Sequence, residues 1–173
     1  MYENSYPQKR FEKTMNFLKD VVEPGTSILD LGVANPLSEI MQAEGYQVEN
    51  TKGEDLDHDF SSVVQSKVEV VTAFEIFEHL LAPYNVLREI TANRLVASVP
   101  LKLWFAPAYR SKTDMWDRHY HEFEPWQFDW LLEKSGWEIK KSAKWTHPVN
   151  RLGLRPILRR FTPRYYIIYA ERK

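Results

Sequence analysis

Apolar positions along the chain form two kinds of run. Phe11, Met15, Leu18 and Val22 recur at helical spacing with Lys and Glu on the other face, which predicts an amphipathic helix over about 7–22. Pro24-Gly25 ends it. Residues 27–31 are a short apolar run without alternation, the pattern of a strand covered on both faces. A helix over 37–44 closes at Gly45, a residue suited to the left-handed conformation at a helix end. Residues 46–51 read as a second strand and 53–62 as a polar, acidic stretch. A third strand is predicted over 68–74, followed by helices over 75–81 and 84–92, where Val86, Leu87 and Ile90 supply an apolar face. Residues 94–99 form another strand, ended by Pro100. Pro125 suits the first turn of a helix over 125–135, which Gly136 stops. Residues 137–144 and 164–170 read as two late strands.

Strands alternating with helices through the first hundred residues imply βαβ units and a parallel sheet. Two late strands without a long helix between them suit an antiparallel hairpin at one edge. The 173 residues are enough for one domain with a sizeable core, and neither a linker nor a repeat divides them. Within that domain, 1–24 is an N-terminal helical segment and 101–123 a long aromatic segment without a period.

Composition narrows the function. With 43% hydrophobic and 27% charged residues, the chain reads as an ordinary globule. A net charge of −1 gives no global attraction to nucleic acid. The absence of cysteine removes disulfides, thiolate catalysis and cysteine metal ligands. The polar N-terminus lacks the apolar core of a signal peptide, and no apolar stretch approaches the roughly 20 residues of a membrane span, so a cytoplasmic protein is expected.

Two motifs carry chemistry. Ser27-Ile28-Leu29-Asp30-Leu31-Gly32 is a buried strand turning through a glycine, and Ala73-Phe74-Glu75-Ile76-Phe77-Glu78-His79-Leu80 is a buried strand running into a Glu-His helix. Together they resemble the class I S-adenosylmethionine-dependent methyltransferases of the small-molecule type. The resemblance covers roughly 25–140 and the hairpin after it. It implies a Rossmann-like, doubly wound, mostly parallel sheet of seven strands with a C-terminal antiparallel hairpin. It also implies S-adenosylmethionine as cofactor.

In an open parallel sheet, ligands bind beyond the carboxyl ends of the strands. Gly32 and Ala34 let a bulky cofactor approach the backbone, and Asn35 adds a hydrogen-bonding side chain before the next helix. The resemblance assigns Asp30 to the amino-acid end of the cofactor and Phe74 to its neighbourhood. Asp55, Leu56 and Asp57 fall where the family reads adenine; a solvated acidic loop is the equal alternative. The chain departs from the family twice. The loop 32–36 has one glycine, and the second strand lacks the acid that grips the ribose, leaving Asn50, Thr51 or Glu54 to stand in.

Glu75 ends the third strand near the expected position of the transferable methyl and is a candidate site residue, whereas His79 reads as structural. The segment 101–123 suits a small organic substrate, with Trp104, Phe105, Tyr109, Trp116, Tyr120 and Phe123 among charged residues; a lid packed on the sheet is the other reading. In its His119-Tyr120-His121 run, either histidine is a candidate general base for an acceptor that must lose a proton. The same pair would share one side of an extended strand, as in a metal site, but lacks an obvious third ligand, so no metal is expected. Arg151, Arg155, Arg159, Arg160 and Arg164 mark a basic connection. It reads as solvated, with leucines packed on the sheet and Pro156 and Pro163 interrupting any helix; contact with an acidic partner or a membrane surface is the alternative. The function expected is methyl transfer to oxygen or nitrogen of a small molecule. A binding module of the same fold without turnover is the alternative.

Overall fold

A computed structural model describes residues 7–147 and 152–173. The elements are α1 (Gln8–Lys19), β1 (Ser27–Asp30), α2 (Pro36–Ala43), β2 (Gln47–Asn50), α3 (Ser61–Gln65), β3 (Val70–Phe74), a 3-10 turn (Phe77–His79), α4 (Pro83–Glu89), β4 (Arg94–Pro100), α5 (Pro125–Lys134), β5 (Trp137–Thr146), α6 (Leu154–Phe161) and β6 (Pro163–Arg172).

The strands form one sheet in the order β2-β1-β3-β4-β6-β5. The first four pair in parallel, and β6 runs antiparallel to both β4 and β5. Consecutive residues on the central strands enter opposite layers, as the pleat requires. Leu29, Val71, Leu95 and Ile168 pack with Val63, Leu87, Phe128 and Leu132 from α3, α4 and α5. Ile28, Val70, Val96 and Ile167 pack with Phe11, Leu18 and Met41 from α1 and α2. Both faces are therefore covered, which explains why these strands read as unbroken apolar runs.

Among the described residues the sheet has six strands rather than the seven expected. Between β2 and β3 the chain is polar and acidic, and it makes turns and the short α3 instead of another strand. The helix expected over 75–81 is only a single 3-10 turn. The basic connection departs further. α6 forms because Pro156 sits in its first turn, where a missing N–H costs no helical bond. Its apolar side chains are only partly covered: Leu154, Ile157 and Phe161 are exposed and Leu158 is half-buried, although α6 lies against β5 and β6. Arg151 and residues 1–6 lie outside the described residues. No described helix is long and apolar enough to cross a membrane.

Candidate functional site

The chain passes from β1 outward to β2, then crosses back to β3 on the other side of β1. At such a reversal, beyond the carboxyl ends of the strands on either side, here β1 and β3, open α/β sheets bind ligands in a crevice. Asp30–Gly32 lie at the end of β1 there and Phe74–Ile76 at the end of β3.

Asp30 is 2% exposed, and three side chains donate toward its carboxylate. Thr72 Oγ1 donates to Oδ1 at 2.6 Å, Asn50 Nδ2 to Oδ2 at 3.1 Å, and Asn35 Nδ2 to Oδ2 at 3.5 Å. Burial outweighs these donors and lifts the Asp30 pKa to about 6. A carboxylate accepts about four hydrogen bonds, so one acceptor position remains. Gly32 follows at φ 111°, a conformation that favours glycine, and its N–H donates to Thr51 Oγ1 at 2.8 Å. A Cβ there would meet the Ile76 side chain at 3.4 Å. Asn35 caps α2, accepting from the N–H groups of Leu37 and Ser38. Ala34 is exposed on the loop between.

Asn50 is committed within this network, since its amide also donates to the Gly32 carbonyl at 3.2 Å. Glu54 accepts from the Lys52 N–H at 2.7 Å and from the Ser62 hydroxyl. Leu56 is buried in the core, and Asp55 Oδ1 closes a local turn by accepting from the Asp57 N–H at 3.0 Å. Asp57 reaches across to accept from the N–H groups of Leu81 and Ala82 at 2.8 and 2.9 Å, tying the acidic loop to the start of α4. Asp57→Ala is expected to lower stability by about 1–2 kcal/mol, read as a shift in urea midpoint.

On the β3 side, Glu75 has φ 59°, rare for a residue with a side chain. Its Oε1 accepts from Ser98 Oγ at 2.9 Å, and Oε2 lies 3.6 Å from the Arg10 guanidinium. Burial pushes its pKa up against the opposing effect of Arg10. Phe74 is half-buried on the α1 side of the sheet. Glu78 is 1% exposed, and neither carboxylate oxygen has a hydrogen-bond partner. Burial, and then the nearby Glu75 charge, drive its pKa well above the usual carboxylate range.

The aromatic segment folds over this turn. The N–H groups of Tyr120 and His121 both donate to the Glu78 carbonyl, at 2.8 and 3.2 Å. Leu101, Leu103 and Phe123 are buried beneath, whereas Trp104 and Trp116 stand about three-quarters exposed. His119 lies against His79 with ring centroids 5.0 Å apart, and burial holds its pKa down to about 4. His121 diverges from it: its ring stacks on Phe123, and Nε2 lies 3.2 Å from the Leu81 carbonyl. A carbonyl only accepts, so that nitrogen carries the proton and Nδ1 the lone pair.

Thr72, Ser98 and Arg10 were not singled out from the sequence, and Arg164 was read only as part of the basic connection. The first two carry a register signal: Thr72 pairs with Asp30, and Ser98 with Phe74. The arginines come from the two ends of the chain and carry no such local sign. Two surface grooves of about 270 and 300 Å³ flank α1, away from the crevice.

No protein-family model matches the sequence, and no curated protein matches it. Solved structures do match. One is the Burkholderia thailandensis 1,6-didemethyltoxoflavin-N1-methyltransferase with bound 1,6-didemethyltoxoflavin and S-adenosylhomocysteine (14% identity, 96% of this chain, 80% of that one, TM-score 0.63). A second is an S-adenosylmethionine-dependent methyltransferase from Archaeoglobus fulgidus (13%, 97% and 95%, TM-score 0.63). A third is the [4+2]-cyclase SpnF (13%, 98% and 83%, TM-score 0.61). The chain therefore has the fold of the class I S-adenosylmethionine-dependent methyltransferases. At this identity the likeness concerns the fold.

Proposed function

We propose that the protein transfers a methyl group from S-adenosylmethionine to oxygen or nitrogen of a small-molecule acceptor. The observation that carries this is the end of β1 at the strand reversal, where a buried carboxylate with a spare acceptor position adjoins a left-handed glycine turn. Those features fit the amino-acid end of the cofactor, whose ammonium needs an anion and whose bulk needs an open backbone. Asp30, Gly32, Ala34 and Asn35 would hold that end, with Thr51 supporting the turn through the Gly32 N–H. Asp55, Leu56, Asp57 and Phe74 are the residues proposed around the adenosine, although Leu56 and Asp57 already serve the core and α4.

The cofactor supplies a methyl carbon made electrophilic by positive sulfur. The protein has to align the acceptor behind that carbon, which is chiefly an orientational task. Glu75, held by Ser98 and Arg10, lines the acceptor side. His121 is the better-placed base, because its Nδ1 keeps a lone pair. His119, with a pKa of about 4, takes up a proton poorly near neutral pH. The exposed aromatics of 101–123 would close on the acceptor.

Calorimetric titration with S-adenosylhomocysteine is expected to give one site per chain, and incubation with methyl-labelled cofactor to label an acceptor from a panel of phenols, acids and amines. An absence of binding at millimolar ligand would reject the proposal. A second reading, a module that binds without turnover, draws on Asn50: its amide is spent on Asp30 and Gly32, and no acid stands at the ribose position. Binding without any labelled product across the panel would favour it.

A further inference from the structure

We propose that Glu78, His79 and His119 form a site for one divalent transition-metal ion beside the carboxyl end of β3. Each offers a ligand atom, and these atoms lie within 4.8 Å of one another. Glu78 Oε1 and His79 Nε2 are 3.8 Å apart. Two bonds of about 2.1 Å set at a tetrahedral angle hold their ligand atoms about 3.4 Å apart, so small side-chain rotations close the set around an ion.

The unpartnered state of Glu78 carries the argument. Glu75, three residues earlier, has Ser98 and Arg10 for its two oxygens. Both Glu78 oxygens are buried and bonded to nothing. Protonation would resolve this for one oxygen at most, through His79 Nε2 at 3.8 Å from Oε1. A cation would satisfy both oxygens, and buried carboxylates are found paired or on metals.

The histidines are prepared in the same sense. His79 Nδ1 lies 3.1 Å from the Arg118 carbonyl and must donate to it, leaving the Nε2 lone pair on the Glu78 side. Such a carbonyl behind the ring is the usual support of a metal-binding histidine. The His119 side chain is 8% exposed, and its Nδ1 makes no hydrogen bond. Glu122 Oε1 stands 3.5 Å from that nitrogen, fixed in turn by the Tyr109 N–H at 2.9 Å and by Arg164 at 3.8 Å.

Two imidazoles and one carboxylate, with no cysteine in the chain, suit Zn²⁺, Fe²⁺, Mn²⁺ or Co²⁺ better than Mg²⁺ or Ca²⁺, which take oxygen sets. Three protein ligands leave coordination positions open. On the methyl-transfer reading, an acceptor oxygen would occupy such a position and lose its proton more readily.

Chelator-stripped full chain is titrated with Zn²⁺ and with Mn²⁺ against a fluorescent chelator, and Co²⁺ is added to follow its visible absorption. One equivalent is expected to bind. His79→Ala and His119→Ala should each weaken it at least about 100-fold, while His58→Ala, at an exposed position, leaves it unchanged. Where an alanine variant fails to fold, Glu78→Gln carries the test, since it keeps the shape and removes the anionic ligand. Wild-type protein that takes up no metal at about millimolar concentration, or folded variants that bind as wild type does, overturn the proposal. S-adenosylhomocysteine is titrated into the same stripped protein. Nucleoside binding without metal binding defeats this proposal alone; metal binding without nucleoside binding defeats the cofactor reading alone.

Discussion

Phe77→Ala is expected to lower stability by about 3–5 kcal/mol, the cost of emptying a large aromatic site that the surroundings cannot refill. Phe77 is fully buried, packs its ring 6.0 Å from that of Phe128, and belongs to the cluster that joins β3 and β4 to α4 and α5. Domains of this size are stable by about 5–15 kcal/mol, so the variant would approach marginal stability. The effect would reach the crevice as well. Phe77 anchors the 3-10 turn that carries Glu78 and His79, and the Glu78 carbonyl holds the aromatic segment through Tyr120 and His121. Urea unfolding should show a lower midpoint at unchanged slope. A loss below about 1 kcal/mol would mean that the segment, and not the core, supports the turn.

Asp30→Asn should do the opposite to stability while weakening ligand binding. The Asp30 pKa rises from 3.8 to about 6 on folding because burial disfavours the charged form. The stability it contributes is fully present below pH 3.8 and is lost as pH rises through about 6. The loss amounts to about 3 kcal/mol at neutral pH. The asparagine retains the contacts: its oxygen accepts from Asn50, and its amide donates to Thr72, whose hydroxyl can turn to receive it. The variant should therefore be about 2–3 kcal/mol more stable than wild type at pH 7 and flat across the acid range where wild type changes. Denaturant titrations at several pH values read this directly. On the proposed function, the ionised carboxylate faces the cofactor ammonium, so wild-type affinity for S-adenosylhomocysteine should climb as pH passes about 6. The variant should bind about 10–100-fold more weakly, the loss of one charge-assisted hydrogen bond. Equal affinity would remove Asp30 from the site. A residue held at a cost to stability, in a crevice, is a common mark of a working site.

Much of the frame was legible beforehand. The unbroken apolar runs of β1, β3 and β4 announced strands covered on both faces, and Pro125 and Gly136 bracketed α5. The turn at Asp30–Gly32 was legible too, because glycine and a short strand are local signals. The expectation of a longer helix after β3 failed. Ile76, Phe77 and Leu80 are apolar enough for one, but Phe77 turns into the core and Pro83 restarts the helix beyond it. The leucines beside the arginines were misread in part: α6 lies against β5 and β6, yet only Leu158 is half-buried while Leu152 and Leu154 stay exposed, which spacing does not reveal.

Sequence by itself determined the alternation of strands and helices, the capped and broken ends, and the carboxylate at the tip of β1, since each depends on residues a few positions apart. Tertiary structure alone decided which polar groups meet. Asp30 finds Thr72 forty-two residues on, Glu75 is met by Arg10 from the first helix, and Glu78 is enclosed with His119 and without a hydrogen bond. Burial and charge act through space, so the same Glu is a helix cap in one fold and a buried carboxyl group without a hydrogen bond in another. Only the packed arrangement distinguishes the two.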